Sequence, residues 1–116
     1  MPYTSGFIDE YEWEDHWERH GADFGAQSRE EYLDQADVFL GSPKVGRVFE
    51  CTRPSDDEAS EELIRFHSVT HQFGVLLKKT DPLTEQIDLF ILTFYKPRPR
   101  RGTALDYYRR ECLKRK

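Results

Sequence analysis

The first 20 residues combine polar and aromatic positions in a way that is typical of an amphipathic helix. Tyr11, Trp13 and Trp17 supply the apolar positions, and acidic residues fill the first half of the segment, where they favour the positive end of a helix dipole. The pattern predicts a helix over residues 9–20. Gly21 follows at once and is predicted to end this helix in a left-handed conformation, which glycine adopts without steric cost.

A second helix is predicted by a capping signal and an apolar stripe. Ser28 and Glu31 have the spacing of a capping box, in which the hydroxyl and the carboxylate each accept a backbone N–H. The stripe recurs at helical spacing and consists of Tyr32, Leu33, Ala36, Phe39 and Leu40. The helix is therefore expected to run to about Leu40, and the residues 41–43 (GSP) are expected to close it.

After Pro43 the pattern changes to short segments of the kind that form strands. It predicts four strands, namely Lys44–Arg53, Leu63–Ser68, Phe73–Lys79 and Ile87–Tyr95. A polar, acidic loop at 54–60 separates the first two. Ile87–Tyr95 is apolar on both faces and is therefore predicted to be a central strand. An amphipathic segment over Thr103–Lys114 predicts a final helix.

These elements predict an α+β domain with two N-terminal helices, a four-stranded antiparallel sheet and one C-terminal helix. At 116 residues the chain is long enough for a single core, so residues 1–116 are expected to form one domain. The helices are expected to cover one face of the sheet. The other face is then expected to be partly open to a substrate.

Composition narrows the class of protein. Hydrophobic residues make up 37% of the chain and charged residues 34%, so a folded core is expected rather than global disorder. No apolar run approaches the roughly 20 residues of a membrane-spanning helix, and the first residues show no signal-peptide pattern. Cys51 and Cys112 can form one disulfide, but the preferred interpretation is two thiols in a reducing compartment.

The net charge of −5 conceals an uneven distribution along the chain. Residues 1–43 carry 11 acidic and 2 basic side chains, whereas residues 96–116, called the basic tail below, carry 9 basic and 2 acidic ones. A basic tail on an acidic protein can contact the phosphate backbone of a nucleic acid. The alternative interpretation is that the two oppositely charged ends of the chain pack against each other.

Several side chains are of the types that cleave RNA without a metal ion. The reaction needs a base for the 2'-hydroxyl proton, an acid for the leaving 5'-oxygen and cations for the phosphoryl charge. Histidine suits the first two roles because it titrates near neutrality, and arginine suits the third. The candidates are His16, His20, Arg53, Arg65, His67, His71, Thr93, Tyr95 and Lys96.

The periods of helix and strand group these candidates. His16 and His20 lie one turn apart and share a helix face. The period of two puts Arg65 and His67 on one face of the second strand, and Thr93 and Tyr95 on one face of the fourth. The hypothesis is that His20 faces Thr93 across the sheet, with a guanidinium between them.

Each candidate also has a structural interpretation. A histidine beside two tryptophans is often a packed residue, and His20 lies where an imidazolium would favour the C-terminal end of a helix. A zinc site is another alternative, because His16 with His20 and His67 with His71 both have H-x3-H spacing. Neither pair has the H-E-x-x-H pattern, and no metal or cofactor is predicted.

The motifs, taken in order, resemble a known family. Residues 16–25 (HWERHGADFG) and 28–32 (SREEY) are similar to the opening of C-terminal toxin domains in bacterial polymorphic and contact-dependent systems. Arg53, residues 70–75 (THQFGV) and residues 93–97 (TFYKP) are similar to the strand motifs of the same domains. These toxins are grouped with the barnase–EndoU–colicin–RelE ribonuclease superfamily, many of whose members cut tRNA.

The resemblance implies an endoribonuclease toxin that acts on RNA, with tRNA favoured and a 2',3'-cyclic phosphate as product. It implies that His20 is the acid or base, that Arg53 contacts phosphate, and that Thr93 and Lys96 belong to the site. The other candidate catalytic residues are His16, Arg65 and Tyr95. The basic tail is expected to bind the RNA backbone through Arg98, Arg100, Arg101, Arg109 and Arg110.

The same resemblance implies a cytoplasmic site of action and a cognate immunity protein or antitoxin as a partner. Because the sequence has no apolar run of spanning length, no role for a membrane is expected. Two interpretations without catalysis stay open. A binding module could keep the scaffold and hold RNA or a protein without cutting anything. An immunity-type protein could use its acidic first 43 residues to mask a basic toxin.

Overall fold

A computed structural model describes residues 2–44, 46–56 and 60–114. The elements follow in the order α1 (Glu10–His20), α2 (Arg29–Gly41), β1 (Val48–Pro54), β2 (Ser60–His67), β3 (Phe73–Thr80), β4 (Ile87–Tyr95) and α3 (Ala104–Leu113). This is the α+β arrangement that the sequence predicts. Val45 of the first predicted strand, residues 57–59 of the acidic loop and residues 115–116 of the basic tail lie outside the described ranges. Among the described helices, none is long and apolar enough to cross a membrane.

The sheet has the strand order β1-β2-β3-β4, and each strand pairs antiparallel with the next. The prediction that the fourth strand is central is therefore wrong, because β4 lies at an edge. The N-terminal segment covers its outer side. The N–H of Ser5 donates to the carbonyl of Leu89 at 2.7 Å, and the N–H of Ile91 donates to the carbonyl of Gly6 at 2.8 Å. These bonds satisfy backbone groups of the edge strand. β4 is apolar on both faces because Ile91 and Phe94 pack in the cluster under α1 and α2, and Leu92 and Tyr95 pack against the cluster under α3.

Asp37 of α2 holds the N-terminal segment in place. Its buried carboxylate accepts hydrogen bonds from the N–H groups of Tyr3 and Thr4 and from the Thr4 hydroxyl, at 2.9, 2.8 and 2.5 Å. Phe7 then enters the core and stacks on Tyr32. The entry segment therefore docks on the core through Phe7, whereas the neighbouring Ile8 is exposed.

Helices lie on both faces of the sheet. α1 and α2 pack on one face, over β3 and β4, around Tyr32 and Phe94. α3 packs on the opposite face, over β1 and β2, around Phe66. The prediction that all helices share one face is wrong. Neighbouring residues of β2 explain why, since Leu63 joins the first cluster and Ile64 the second.

Cys51 of β1 and Cys112 of α3 form a disulfide bond, so the preferred interpretation of two free thiols is wrong. The two residues are 61 positions apart in the sequence. Their pairing depends on α3 returning to β1, and no local pattern indicates that return. The bond ties the C-terminal helix to the first strand of the sheet.

The first helix ends differently from the prediction. Gly21 has right-handed dihedral angles (φ −56°, ψ −38°) and opens a 3-10 turn over Gly21–Phe24, whereas Gly25 has the left-handed conformation (φ 66°). A left-handed cap at Gly21 is therefore wrong. Glycine is required there for space, because an added Cβ would lie 2.2 Å from Cε3 of Trp17.

Side-chain caps begin the two later helices. The Ser28 hydroxyl accepts the N–H of Glu31, as predicted, but the Glu31 carboxylate accepts the N–H of Gln27 instead of that of Ser28. Thr103 and Asp106 form a complete capping box at the start of α3. This cap begins the helix that packs over β1 and β2.

Candidate functional site

The end of α1 brings two imidazole rings together. His16 and His20 share a helix face, as predicted, and their rings stack with centroids 5.9 Å apart. The His16 ring also stacks on Phe7 of the core, at 5.6 Å. His16 is 7% exposed, whereas His20 is half-buried. Of the two rings, His20 is the one that a ligand can reach.

Tyr95, at the end of β4, continues this row of rings. Its phenol stacks on the imidazole of His20 with centroids 5.0 Å apart and 24° between the ring planes. Thr93 and Tyr95 flank Phe94, whose side chain lies in the core beneath α2. Strand alternation therefore puts Thr93 on the same face as Tyr95, as predicted.

Tyr107 of α3 holds the hydroxyl of Tyr95. The two hydroxyl groups are hydrogen-bonded to each other, and the ring of Phe73 packs against both phenols. Burial, and then this hydrogen bond, raises the pKa of Tyr95 well above its ordinary value. The phenol is therefore protonated at neutral pH. Tyr107 was not among the predicted site residues, because only the fold brings α3 to β4.

Burial also sets the charge of the two histidines. Desolvation lowers the pKa of His20, and the charges of Arg19 and His16 lower it further. Desolvation and Arg19 lower the pKa of His16 as well, against the opposing effect of the Glu12 carboxylate. Both imidazoles are therefore mainly neutral at pH 7, which is the state that accepts a proton.

Lys96 and Arg98 place cations beside the 3-10 turn that follows α1. The Nζ of Lys96 lies 5.5 Å from the ring centroid of Phe24. The guanidinium of Arg98 donates to the Asp23 carboxylate at 3.1 Å, although the Arg98 side chain is 80% exposed. This ion pair is a direct contact between the acidic first 43 residues and the basic tail.

The remaining arginines of the described basic tail are exposed. They are Arg100, Arg101, Arg109 and Arg110. None of them forms an ion pair with a residue in the described ranges. Unpaired guanidinium groups of this kind suit a polyanion, which they can bind without giving up an existing partner.

Arg53 lies on the α3 face and is held by two carboxylates. Its Nε and Nη2 donate to Oε1 of Glu62 at 3.1 and 3.0 Å, and its Nη1 donates to Oε1 of Glu111 at 3.2 Å. The side chain is 11% exposed. The hypothesis of a guanidinium beside His20 does not match this geometry, because the Tyr95 ring lies there. A phosphate at Arg53 would compete with both carboxylates.

Arg65 belongs to another part of the sheet. Arg65 and His67 share the face of β2 that borders α2, and both line a cavity there. The Nη1 of Arg65 donates to the carbonyl groups of Phe39 and Ser42 at 3.0 and 2.5 Å. The structure thus brings His16, His20 and Tyr95 into one row of rings, and Lys96 lies over the Phe24 ring on the α2 face. Thr93 pairs with Val75 of the cluster around α3, so its side chain is on the sheet face opposite α1, and the hypothesis that His20 faces Thr93 does not match this geometry. Arg53 and Arg65 each have contacts elsewhere.

One turn of α1 offers ligand atoms that a cation could use. One such atom from each of Glu12, Asp15 and His16 lies within 4.8 Å of the others, and Oε2 of Glu12 is 3.4 Å from Nε2 of His16. The H-x3-H alternatives have different contacts. The rings of His16 and His20 stack, so their in-plane lone pairs do not converge, and Nδ1 of His67 accepts two backbone N–H groups of the following turn.

Comparisons of this chain with models of protein families, with curated proteins and with solved structures found no match. The resemblance to ribonuclease toxin domains therefore rests on the sequence motifs alone.

Proposed function

We propose that the chain is a metal-independent endoribonuclease of the toxin type, in which His20 takes the proton of an RNA 2'-hydroxyl group. The observation that carries the proposal is the stacking of His20 on Tyr95. Burial in this contact favours a neutral imidazole, and the ring stays partly accessible. A neutral imidazole is the state that general-base attack on a 2'-hydroxyl group requires, and the basic tail that follows β4 in the chain would attract the phosphodiester.

The proposed reaction is an internal displacement at phosphorus. His20 accepts the 2'-hydroxyl proton, the 2'-oxygen bonds to phosphorus, and the bond between phosphorus and the 5'-oxygen breaks. The leaving 5'-oxygen takes a proton from water. The product ends in a 2',3'-cyclic phosphate, and no bond forms between protein and RNA.

Groups at the end of β4 suit the reacting phosphate. The Lys96 ammonium would offset the negative charge that develops on the phosphoryl oxygens. Tyr95 is kept protonated by burial and by its hydrogen bond to Tyr107. His16 stacks on His20 and contacts Glu12, so it would keep the His20 ring in position.

The basic tail would bind the RNA backbone on either side of this phosphate. Its exposed arginines, together with Arg98, supply a sequence-independent attraction that draws a polyanion to the His20 end of the molecule. From the resemblance to toxin domains, we infer tRNA as the favoured substrate and the cytoplasm as the site of action. A cognate immunity protein or antitoxin is inferred on the same ground.

A second candidate function is a non-catalytic RNA-binding module. The contacts of the two candidate catalytic arginines favour it. Arg53 is held by Glu62 and Glu111, and Arg65 by α2 carbonyl groups. Without a guanidinium at the phosphate, Lys96 would carry the stabilisation of the transition state almost alone. A binder needs the basic tail and no such stabilisation.

Expression of the intact chain and of His20→Ala in bacteria tests the proposal. The intact chain is expected to arrest growth and to leave RNA fragments with 2',3'-cyclic phosphate ends, which sequencing of RNA ends detects. His20→Ala is expected to do neither while keeping the far-UV and near-UV circular dichroism of the intact chain. His71→Asn is the matched control, because it removes an exposed histidine and asparagine tolerates the positive φ of 62° at that position.

The outcomes separate the two candidates. Cleavage that survives His20→Ala contradicts the assignment of the base. Binding of tRNA by the purified intact chain, with neither cleavage nor growth arrest, would support the binding module and overturn the enzyme.

A further inference from the structure

A cavity of about 520 Å³ lies beside the second half of α2, on the face of the sheet that this helix covers. The two N-terminal helices pack over β3 and β4. The cavity lies next to that contact and is bordered by the start of β1 and the end of β2. The volume lies within the range of small-molecule sites, about 300–1,000 Å³. The cavity is separate from the contact between His20 and Tyr95.

Apolar side chains form much of the wall. They are Val38 and Phe39 of α2, Pro43 after the helix, and Val48 at the start of β1. Val38 is 55% exposed although it borders this cavity. A heterocyclic ring placed between these side chains would be removed from water and would cover part of that exposed surface.

Hydrogen-bond donors come from β2. Arg65 uses Nη1 for α2 carbonyl groups and Nε for Glu50, and its Nη2 donates to no group in the described part of the chain. The Nδ1 of His67 accepts the N–H groups of Val69 and Thr70, both at 3.1 Å. In the neutral ring the proton is therefore on Nε2, which is a second donor.

Hydrogen-bond acceptors come from α2. The carboxylate of Asp34 is at the exposed rim. The amide of Gln35 donates from Nε2 to the carbonyl of Phe24 at 3.2 Å, and its Oε1 is buried with no donor among the described residues. A buried acceptor without a donor is unfavourable. A small shift of this amide toward a ligand N–H would relieve that penalty.

This pattern of donors and acceptors matches one nucleobase best. Guanine presents two acceptors, O6 and N7, on one edge, and an arginine is their most frequent specific partner in nucleic-acid complexes. It presents N–H donors at N1 and at the 2-amino group on another edge, which suit the acceptors of α2. Adenine has an amino donor where guanine has O6, so it would oppose the donors of Arg65 and His67.

The cavity and the proposed catalytic end of β4 are linked through Phe24. Gln35 at the cavity donates to the Phe24 carbonyl, and Lys96 after β4 lies over the Phe24 ring. The register Tyr95–Phe73–Phe66 puts the end of β2 two strand spacings, about 10 Å, from the end of β4. We propose that this cavity binds one guanine base of the RNA strand whose phosphate lies at His20, an inference that rests on the proposed ribonuclease function.

Titration of the ¹⁵N-labelled full chain, with its disulfide intact, tests the inference by chemical-shift mapping. Guanosine 5'-monophosphate is expected to shift the amides of the cavity residues and to bind at least tenfold more tightly than adenosine 5'-monophosphate. Inosine 5'-monophosphate lacks the 2-amino group and is expected to fall between them. Shifts that are absent or lie elsewhere, or equal affinities for the three nucleotides, would overturn the guanine assignment.

A cavity-filling substitution supplies the matched comparison. Val38→Trp is expected to weaken binding of guanosine 5'-monophosphate at least tenfold, and since Val38 is an exposed helix position the fold should persist. Leu83→Trp adds the same ring at a turn residue that is 92% exposed and is expected to leave binding unchanged. Equal affinities in the two variants would locate the nucleotide outside the cavity.

An uncleavable 2'-O-methyl oligonucleotide with a single guanine distinguishes an RNA strand from a free nucleotide. It is expected to bind more tightly than guanosine 5'-monophosphate, because its phosphates reach the basic tail, and more tightly than the same oligonucleotide with adenine. If the free nucleotide binds and the oligonucleotide does not, the assignment to RNA is overturned. None of these measurements involves cleavage. If the chain cleaves RNA but its cavity does not bind guanine, this inference is overturned and the proposed ribonuclease function is not.

Discussion

The imidazole of His20 and the phenol ring of Tyr95 lie face to face, with 5.0 Å between their centroids. One ring ends the first helix and the other ends the last strand. The contact joins α1 to β4, and it contributes to the burial that lowers the pKa of His20. Tyr107 connects the same ring to α3 on the far side of the sheet.

Removal of the Tyr95 ring is expected to raise the pKa of His20. Tyr95→Ala exposes the imidazole, and its pKa should move up toward the ordinary value of about 6.5. Tyr95→Phe keeps the ring, so the pKa of His20 should stay lowered, while loss of the hydrogen bond to Tyr107 costs about 1 kcal/mol of stability. NMR titration of the imidazole resonances and chemical denaturation measure the two effects. The same His20 pKa in both variants would show that this ring does not control it.

The lowered pKa of His20 also predicts the pH dependence of cleavage. A base with a lowered pKa stays unprotonated to a lower pH than a solvated histidine does. We expect the single-turnover rate to be nearly constant from pH 8 to 7 and to fall on an acid limb whose midpoint lies below about 6.5. Tyr95→Ala should move any residual acid limb to higher pH. A midpoint above 6.5 in the intact chain would be inconsistent with His20 as the base.

The salt dependence of RNA binding is expected to report the basic tail. Each arginine that contacts a phosphate adds about one to the number of counterions released, so Arg109→Gln with Arg110→Gln should reduce the log–log salt slope by up to about 2. Lys78→Gln with Lys79→Gln removes the same charge from the far end of β3 and should leave the slope nearly unchanged. Binding isotherms at several salt concentrations measure both. Equal slopes in the two double variants would place the RNA away from α3.

Reduction of the Cys51–Cys112 disulfide is expected to lower the stability of the domain. The bond joins two residues that are 61 positions apart in the sequence. For a loop of this length the chain-entropy relation gives at most about 4 kcal/mol of stabilisation. Cys51→Ser with Cys112→Ser should reproduce the loss of stability and should be insensitive to added reductant. Denaturation of both proteins with and without reductant is the measurement. A serine variant as stable as the oxidised chain would show that other contacts hold α3.

The sequence by itself determined the elements and the relations within them. The helix at 10–20, the second helix after Ser28 and the bounds of β4 follow from periodicity and capping, which act over a few residues. For the same reason the shared faces of His16 with His20 and of Thr93 with Tyr95 could be predicted, because a helix repeats every 3.6 residues and a strand every two.

Only the tertiary structure decided which elements meet. The Cys51–Cys112 bond, the hydrogen bond between Tyr95 and Tyr107 and the ion pair of Arg53 with Glu111 all require α3 to return across the second face of the sheet. The pairing of the N-terminal segment with the outer side of β4 is likewise a contact between residues far apart in the chain. Such contacts join residues far apart in the chain, and their formation depends on how whole faces are buried, which local periodicity does not encode.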